Sequence, residues 1–196
     1  MTTHRIEVHP LTPARWRDLV ALFETSSTTR HCWCMWFRQS NAEYRAGGEQ
    51  NRRAFQRIVR TAAAPPGVLA YIDDNPVGWC AVAPRDVYTR LARSRTLQPL
   101  DDKPVWSVTC FFIDARARRR GVGHALLRAA VALAAEHGAR IVEGYPLAPG
   151  RKLRSDEAYV GVTSLFEKAG FAEVARPSEH RAIMRYTVRR DARRSR

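Results

Sequence analysis

Long apolar runs are missing from this sequence: nothing approaches the roughly 18 residues that span a bilayer, and the opening MTTHRIEVHP lacks the apolar stretch of a secretion signal. These absences predict a cytoplasmic protein with no membrane partner. Cysteine is scarce. Only Cys32, Cys34, Cys80 and Cys110 occur, which in a chain without an export signal excludes a disulfide framework and predicts reduced thiols. His31, Cys32 and Cys34 have the residue types of a metal site, yet C-x-C with one His and no second distal Cys/His pair falls short of tetrahedral spacing, so no metal is expected. No internal repeat or composition break divides the 196 residues, which predicts one domain over 1–188 and a basic disordered tail over 189–196. Acidic residues are the last shortage: 19 against 33 Lys and Arg, a net charge of +14 that favours anionic partners such as nucleotides or RNA. The tail RRDARRSR carries four of those net charges without anything to bury, and reads as a solvated end.

What is present alternates between strand and helix patterns. RIEVHPL reads as a first strand, and Thr12-Pro13 as the cap and first position of a helix that buries Trp16, Leu19, Val20 and Phe23 to about Glu24. TSSTTRHCWCMWFRQS reads as a polar lead-in to an aromatic cluster, a loop with room for a short helical turn. A helix is predicted from about Glu49 to Ala62, stopped by Pro65-Pro66-Gly67. Val68–Ile72 and Val77–Val82 form a hairpin across DDNP, and Pro84 to Pro104 is a long connection without a period. Val105–Ile113, VWSVTCFFI, is apolar enough for a central strand covered on both faces. A helix with Val122, Leu126, Ala130 and Leu133 at helical spacing follows, capped by Gly138, and ARIVEGYPL is the next strand, parallel to the last. Val162–Ala169 is a short helix, and FAEVA and AIMRYTV close an antiparallel edge.

DARARRRGVGHALL, Asp114 to Leu127, has two competing meanings: a nucleic-acid patch or a phosphate loop. Its position decides between them. It starts at the carboxyl end of the buried strand and ends in the first turn of a helix, where unpaired N–H groups and the helix dipole attract anions. Gly121 and Gly123 let a phosphate approach the amides of 119–124, and neighbouring arginines add charge-assisted hydrogen bonds. Arg118-Arg119-Arg120-Gly121-Val122-Gly123 in this setting resembles the Q/R-x-x-G-x-G/A signature of the GNAT acyltransferase superfamily. SLFEKAGFAEVA resembles its second landmark. The aromatic segment, with VGWCAVAPR and VWSVTCFFI, further resembles a subgroup common in high-GC bacteria, from which no activity transfers.

The resemblance implies an α/β (mixed α+β) fold with a central mixed, largely antiparallel sheet, a splayed parallel strand pair and flanking helices. It also implies an acyl-CoA-dependent N-acyltransferase with acetyl-CoA or another acyl-CoA as co-substrate. The pyrophosphate would sit on the amides of Arg119, Arg120, Gly121, Val122, Gly123 and His124 beside Arg118, and the pantetheine arm along Phe111, Phe112 and Ile113. Glu143, the one carboxylate in its strand, is the candidate base, expected to be partly buried. Phe166 replaces the Tyr that often protonates the leaving thiolate, which leaves Tyr159 and Ser164 as candidate acids; Tyr159 itself stands where the family often has Asn. Acylation of Cys110 is the ping-pong alternative, without an assignable activator. Trp33, Met35 and Trp36 are candidates either for an apolar acceptor wall or for core. The favoured reading is direct acetyl transfer to a small-molecule primary amine. Aminoacyl-tRNA as acyl donor and a non-catalytic acyl-CoA-binding protein are the alternatives, and the final strands are a candidate homodimer surface.

Overall fold

A computed structural model describes residues 5–148 and 158–189. The polar stretch 149–157 and the tail beyond residue 189 lie outside them. Among the described residues seven strands form a single sheet in the order β1-β2-β3-β4-β5-β7-β6, with β1 Ile6–Pro10, β2 Gly67–Ile72, β3 Asn75–Pro84, β4 Trp106–Ile113, β5 Ile141–Gly144, β6 Ala172–Ser178 and β7 Arg181–Thr187. Of these strands only β4 and β5 pair in parallel, joined by helix α6 (Val122–Glu136); the other strand pairs are antiparallel. This is the mixed, largely antiparallel sheet that the sequence predicts.

The β2–β3 hairpin turns on Asp73 and Asp74 alone, both left-handed at φ +50° and +61°, the geometry that matches strand twist in a two-residue loop. Of the predicted DDNP connection, Asn75 and Pro76 belong to β3. Pro13 opens a 3-10 turn rather than the helix itself, and the Thr12 side chain caps nothing; α1 runs from Trp16 to Phe23. The segment read as a loop with a short helical turn contains one short helix, α2 (Ser27–Cys32), and a second, α3 (Asn41–Arg45), follows directly after it. α3 is held by a capping box in which the Glu43 N–H donates to Ser40 Oγ and the Ser40 N–H to Glu43 Oε2. α4 spans Gly48–Thr61, close to its predicted bounds. The connection after β3 also has structure: a 3-10 turn over Arg85–Val87 and α5 (Thr89–Ala92). The helix after β5, α7, is Thr163–Lys168.

Two apolar layers sandwich the sheet. α6 lays Val122, Leu126, Ala130 and Leu133 on one face against Val68, Cys80, Val108 and Val142. It comes so close to β3 that a Cβ on Gly78 would lie 2.8 Å from Val122 Cγ1. On the other face Leu19, Phe23 and Phe55 from α1 and α4 pack with Trp33, Met35, Leu69 and Trp79. Strand β5 is shorter than its sequence pattern suggests because the chain leaves the sheet after Gly144, and Leu147 only bridges to Val162 and Arg181.

Candidate functional site

The site begins with a mismatch between two strands. β4 and β5 pair only at Trp106–Val142, Ser107–Glu143 and Val108–Gly144; beyond Val108, β4 keeps β3 on one side and loses its neighbour on the other. A bulge marks the change: Ala81 faces Cys110 and Val82 faces Val108, so Thr109 is the extra residue. Phe111, Phe112 and Ile113 therefore belong to a strand edge whose β5 side is not sheet-paired among the described residues. The 3-10 turn Ala158–Val160 packs beside β4. A Cβ on Gly161 would lie 2.9 Å from Phe166 and 3.4 Å from Phe111, so these rings meet at the floor of the splay. Phe166 is fully buried, stacked edge-on against Phe111 and Phe171. It also explains Gly144, since a Cβ there would stand 2.1 Å from Phe166 Cε1.

β4 leads directly to the Arg/Gly loop. Asp114 accepts from the Arg116 N–H and guanidinium, which holds its carboxyl below the usual carboxylate range, chiefly through that side-chain bond. Arg118 is exposed and its Nε–H donates to the Ile113 carbonyl at 3.3 Å. Arg119 at φ +59° and Gly121 at φ +84° curl the chain into the start of α6. The first intrahelical bond runs from the Ala125 N–H to the Gly121 carbonyl, so the amides of Val122, Gly123 and His124 precede it. A Cβ on Gly121 would meet open space, with Ile6 Cδ1 3.9 Å away, whereas one on Gly123 would lie 3.4 Å from Ile113 and 3.5 Å from Leu165. The two glycines thus differ: Gly121 is favoured by its left-handed backbone angle, whereas a Cβ on Gly123 would make only ordinary contact with Ile113 and Leu165.

Glu143 is placed differently from its expectation. It is buried completely, at 1% exposure, and both oxygens are engaged. Oε1 accepts from Arg85 Nη1 at 3.1 Å and from the Tyr145 hydroxyl at 2.7 Å; Oε2 accepts from Arg185 Nε at 2.7 Å. Arg185 also grips Asp101, lowering that carboxyl's pKa, while Arg85 donates to the Tyr145 hydroxyl and the Leu97 carbonyl. Ser107 Oγ is 2.8 Å from the Tyr145 hydroxyl, which burial, followed by the Glu143 charge, pushes well up. Two guanidiniums and a phenol occupy three of the carboxylate's roughly four lone-pair positions, and Glu143, buried more deeply than expected, forms an ion-pair node. No sequence signal identified Arg85, Tyr145 or Arg185 as its partners.

The aromatic segment is divided. Trp33 and Met35 are each only 3% exposed and belong to the core with Phe23, Phe55 and Trp79, the core side of the two readings left open for them. Trp36 is 38% exposed and lines, with Phe37, Arg90 and Leu97, a cavity of about 360 Å³. The division follows from Trp33 and Cys34, consecutive left-handed residues at φ +46° and +54° that reverse the chain after α2. Phe37 reaches Tyr159, ring centroids 6.4 Å apart, and burial raises the Tyr159 phenol so that it stays protonated at neutral pH. Ser164 is exposed on α7. Cys110 Sγ is 3.4 Å from Cys34 Sγ; that bond and burial push its thiol far up, against a nucleophilic role. Among the described residues no group of three His, Cys, Asp or Glu is arranged to hold a metal ion, and no helix is long and apolar enough to cross a membrane.

Comparison with known proteins agrees with this geometry. A family model described as Acetyltransferase (GNAT) family matches residues 28–171. No curated protein matches the sequence. Among solved structures the chain is similar to a GNAT-family acetyltransferase of Streptococcus agalactiae, with 12% identity, TM-score 0.55, and 94% of this chain and 96% of that one covered. It is similar to the aminoglycoside N-acetyltransferase AAC(6')-Iy in complex with CoA, with 14% identity, TM-score 0.54, and 88% and 91% covered. The PaiA N-acetyltransferase of Thermoplasma acidophilum in complex with coenzyme A gives 14% identity, TM-score 0.52, and 94% and 99% covered. At these identities the likeness concerns the fold.

Proposed function

The chain belongs to the GNAT acetyltransferase family, and from that premise we propose that it moves an acetyl group from acetyl-CoA to the primary amine of a small molecule by direct attack. One observation carries the reading: the edge of β4 beyond Val108, unpaired on its β5 side among the described residues, leads through the Arg/Gly loop to a helix start with three amides ahead of the first intrahelical bond. Extended pantetheine suits the edge at Phe111, Phe112 and Ile113 as an added strand does, and pyrophosphate suits the amides of residues 119–124 with Arg118 beside them. The open direction at Gly121 fits such a group. Two solved relatives of the same fold hold CoA.

Acetyl-CoA supplies a thioester whose carbonyl carbon accepts the amine and whose thiolate leaves. The chain supplies the surroundings. A backbone N–H of the Cys110–Phe112 stretch is the donor for the carbonyl oxygen, a role independent of side-chain identity. Tyr159, protonated and beside the splay, is the candidate donor to the leaving sulfur in place of Phe166; Ser164 is a weaker one because it is exposed. Glu143 holds Arg85 and Arg185 rather than the amine's proton, which leaves to solvent.

Calorimetric titration of acetyl-CoA at low and high salt tests the proposal. Binding that weakens only mildly with salt supports a single phosphate cradle, whereas no binding overturns it. An aminoacyl-tRNA donor predicts a steep fall of affinity with salt instead. Thiol release in the presence of amines separates the transferase from a binding protein.

A further inference from the structure

Two of the four cysteines touch, although 76 residues separate them in sequence. Cys34 lies in the turn after α2 and Cys110 in β4 next to the bulge at Thr109, and their sulfurs are 3.4 Å apart in a thiol–thiol hydrogen bond. The Trp79 indole N–H donates to the same Cys34 sulfur at 3.0 Å. That bond and the left-handed backbone of Cys34, at φ +54°, fix the side chain toward Cys110. The other two cysteines are placed apart from this pair. Cys80 is fully buried in the layer under α6, on the opposite face of the sheet from the layer that contains Cys34 and Cys110. Cys32 closes α2, and its sulfur accepts from the Tyr44 hydroxyl. A disulfide holds its sulfurs about 2 Å apart, so the Cys34–Cys110 pair becomes one by an approach of about 1.4 Å.

We propose that Cys34 and Cys110 are a reversible modification site at which a hydroperoxide oxidises the two thiols to a disulfide, joining the segment after α2 to β4. The chemistry balances in two steps. The Cys34 sulfur, after giving its proton to solvent, attacks the peroxide oxygen; the O–O bond breaks, Cys34 becomes a sulfenic acid, and the other oxygen leaves as an alcohol, or as water from hydrogen peroxide. The Cys110 sulfur then bonds to the Cys34 sulfur, and its own proton leaves with the displaced hydroxide as water. Two electrons pass from the thiols to one peroxide. Cys34 is the sulfur attacked first because an N–H already points at it, whereas burial and the bond to Cys34 keep Cys110 protonated. Contact replaces acidity in the second step, since the two sulfurs need no diffusion to meet. Cys110 is partly exposed, which gives a small peroxide a way to the pair. The bond would tie the segment that carries Trp36 and Phe37 to the strand that carries Phe111 and Phe112. The site does not depend on acyl transfer, in which neither sulfur has a part.

The test treats the folded full-length protein, freed of reductant, with hydrogen peroxide, then blocks the remaining thiols with iodoacetamide in denaturant and maps the peptides by mass spectrometry. Expected is an intact mass lower by about 2 Da before blocking, a Cys34 peptide linked to the Cys110 peptide, and Cys32 and Cys80 both alkylated. Dithiothreitol should restore the starting mass. C34A and C110A should each abolish the mass loss, and C34S and C110S repeat the test with a side chain closer in size to the thiol. With dimedone present, C110A should take the label at Cys34, because the sulfenic acid formed there has lost the thiol that resolves it. A link that contains Cys32 or Cys80, a mass loss that persists in C34A or C110A, dimedone label at Cys32 instead of Cys34, or a wild type that only gains oxygen would each overturn the inference.

Discussion

Replacing Glu143 by Gln separates a structural node from a general base. In the wild type the carboxylate neutralises Arg85 and Arg185, whose side chains are only 12% and 13% exposed. The substituted amide would keep one carbonyl acceptor, lose the charge, and turn an N–H₂ group toward one of the two cations. Arg185 retains its fork on Asp101, so the loss falls mainly on Arg85, left with Tyr145 and the Leu97 carbonyl. Removing one partner of a buried ion pair costs roughly 3–5 kcal/mol. The surviving bonds place Glu143→Gln near the lower end, about 3 kcal/mol, a large part of the ~5–15 kcal/mol that holds a domain together. Equilibrium urea unfolding followed by tryptophan fluorescence should show a midpoint lowered by about 1–2 M at an unchanged slope. Acetyl-CoA affinity should stay as in wild type. A variant within about 0.5 kcal/mol of wild-type stability that also loses its kcat would refute the reasoning, because it would mean that the carboxylate was free to take a proton and contributed little to the fold.

Gly121→Ala has space for its methyl group but must hold φ near +84°, so a stability loss of about 1 kcal/mol with near-normal acetyl-CoA affinity is expected; Gly121→Glu should abolish binding by repelling the pyrophosphate, and calorimetry decides both. Gly144→Ala would push a methyl within 2.1 Å of Phe166, and overpacking of this kind should cost roughly 1–3 kcal/mol in the same urea assay and weaken acetyl-CoA binding as the floor of the splay shifts. Asp101 gives a pH signature. Its folded pKa lies below the unfolded value of about 3.9, so the stability it adds is fully present above that value and is lost as pH falls through the folded pKa. The acid limb of the stability profile should therefore be flatter in Asp101→Asn than in wild type, with the two curves differing by a constant amount at neutral pH.

The parts of the fold that sequence made legible are those dictated by local pattern. β4 and α6 declare themselves because one is apolar on both faces and the other repeats its apolar residues at helical spacing. The glycine-rich turn between them has few other uses in that position. α2 and α3 are short enough that no periodicity can develop; the first ends on two left-handed non-glycine residues, the second depends on a Ser40–Glu43 box. Thr29 shows the same dependence on neighbours, its hydroxyl donating to the Phe23 carbonyl at 2.6 Å. The candidate site was legible only where it consists of backbone. Its side-chain electrostatics were not, since the arginine partners of Glu143 lie 58 and 42 residues away in sequence and nothing short of the β3–β4–β5–β7 register brings them together.

The same register changes what the excess of arginine means. A net charge of +14 suggests a surface field suited to nucleic acid, but several arginines face inward. Arg85 and Arg185 neutralise Glu143, and Arg181 is half-buried with its Nη1 on the Tyr145 carbonyl. Arg90 is stacked on Trp36 with two nitrogens covered. Charges in these positions act on neighbours within a few ångströms and are little screened by salt, so they shape a pocket rather than attract a polyanion from solution. The exposed arginines Arg118, Arg119 and Arg120 are gathered at one helix start, beside the amides on which the proposed pyrophosphate would sit. Most of the inward arginines thus serve the fold, and the exposed cluster at the head of α6 is the part of the charge that the proposed pyrophosphate site would use.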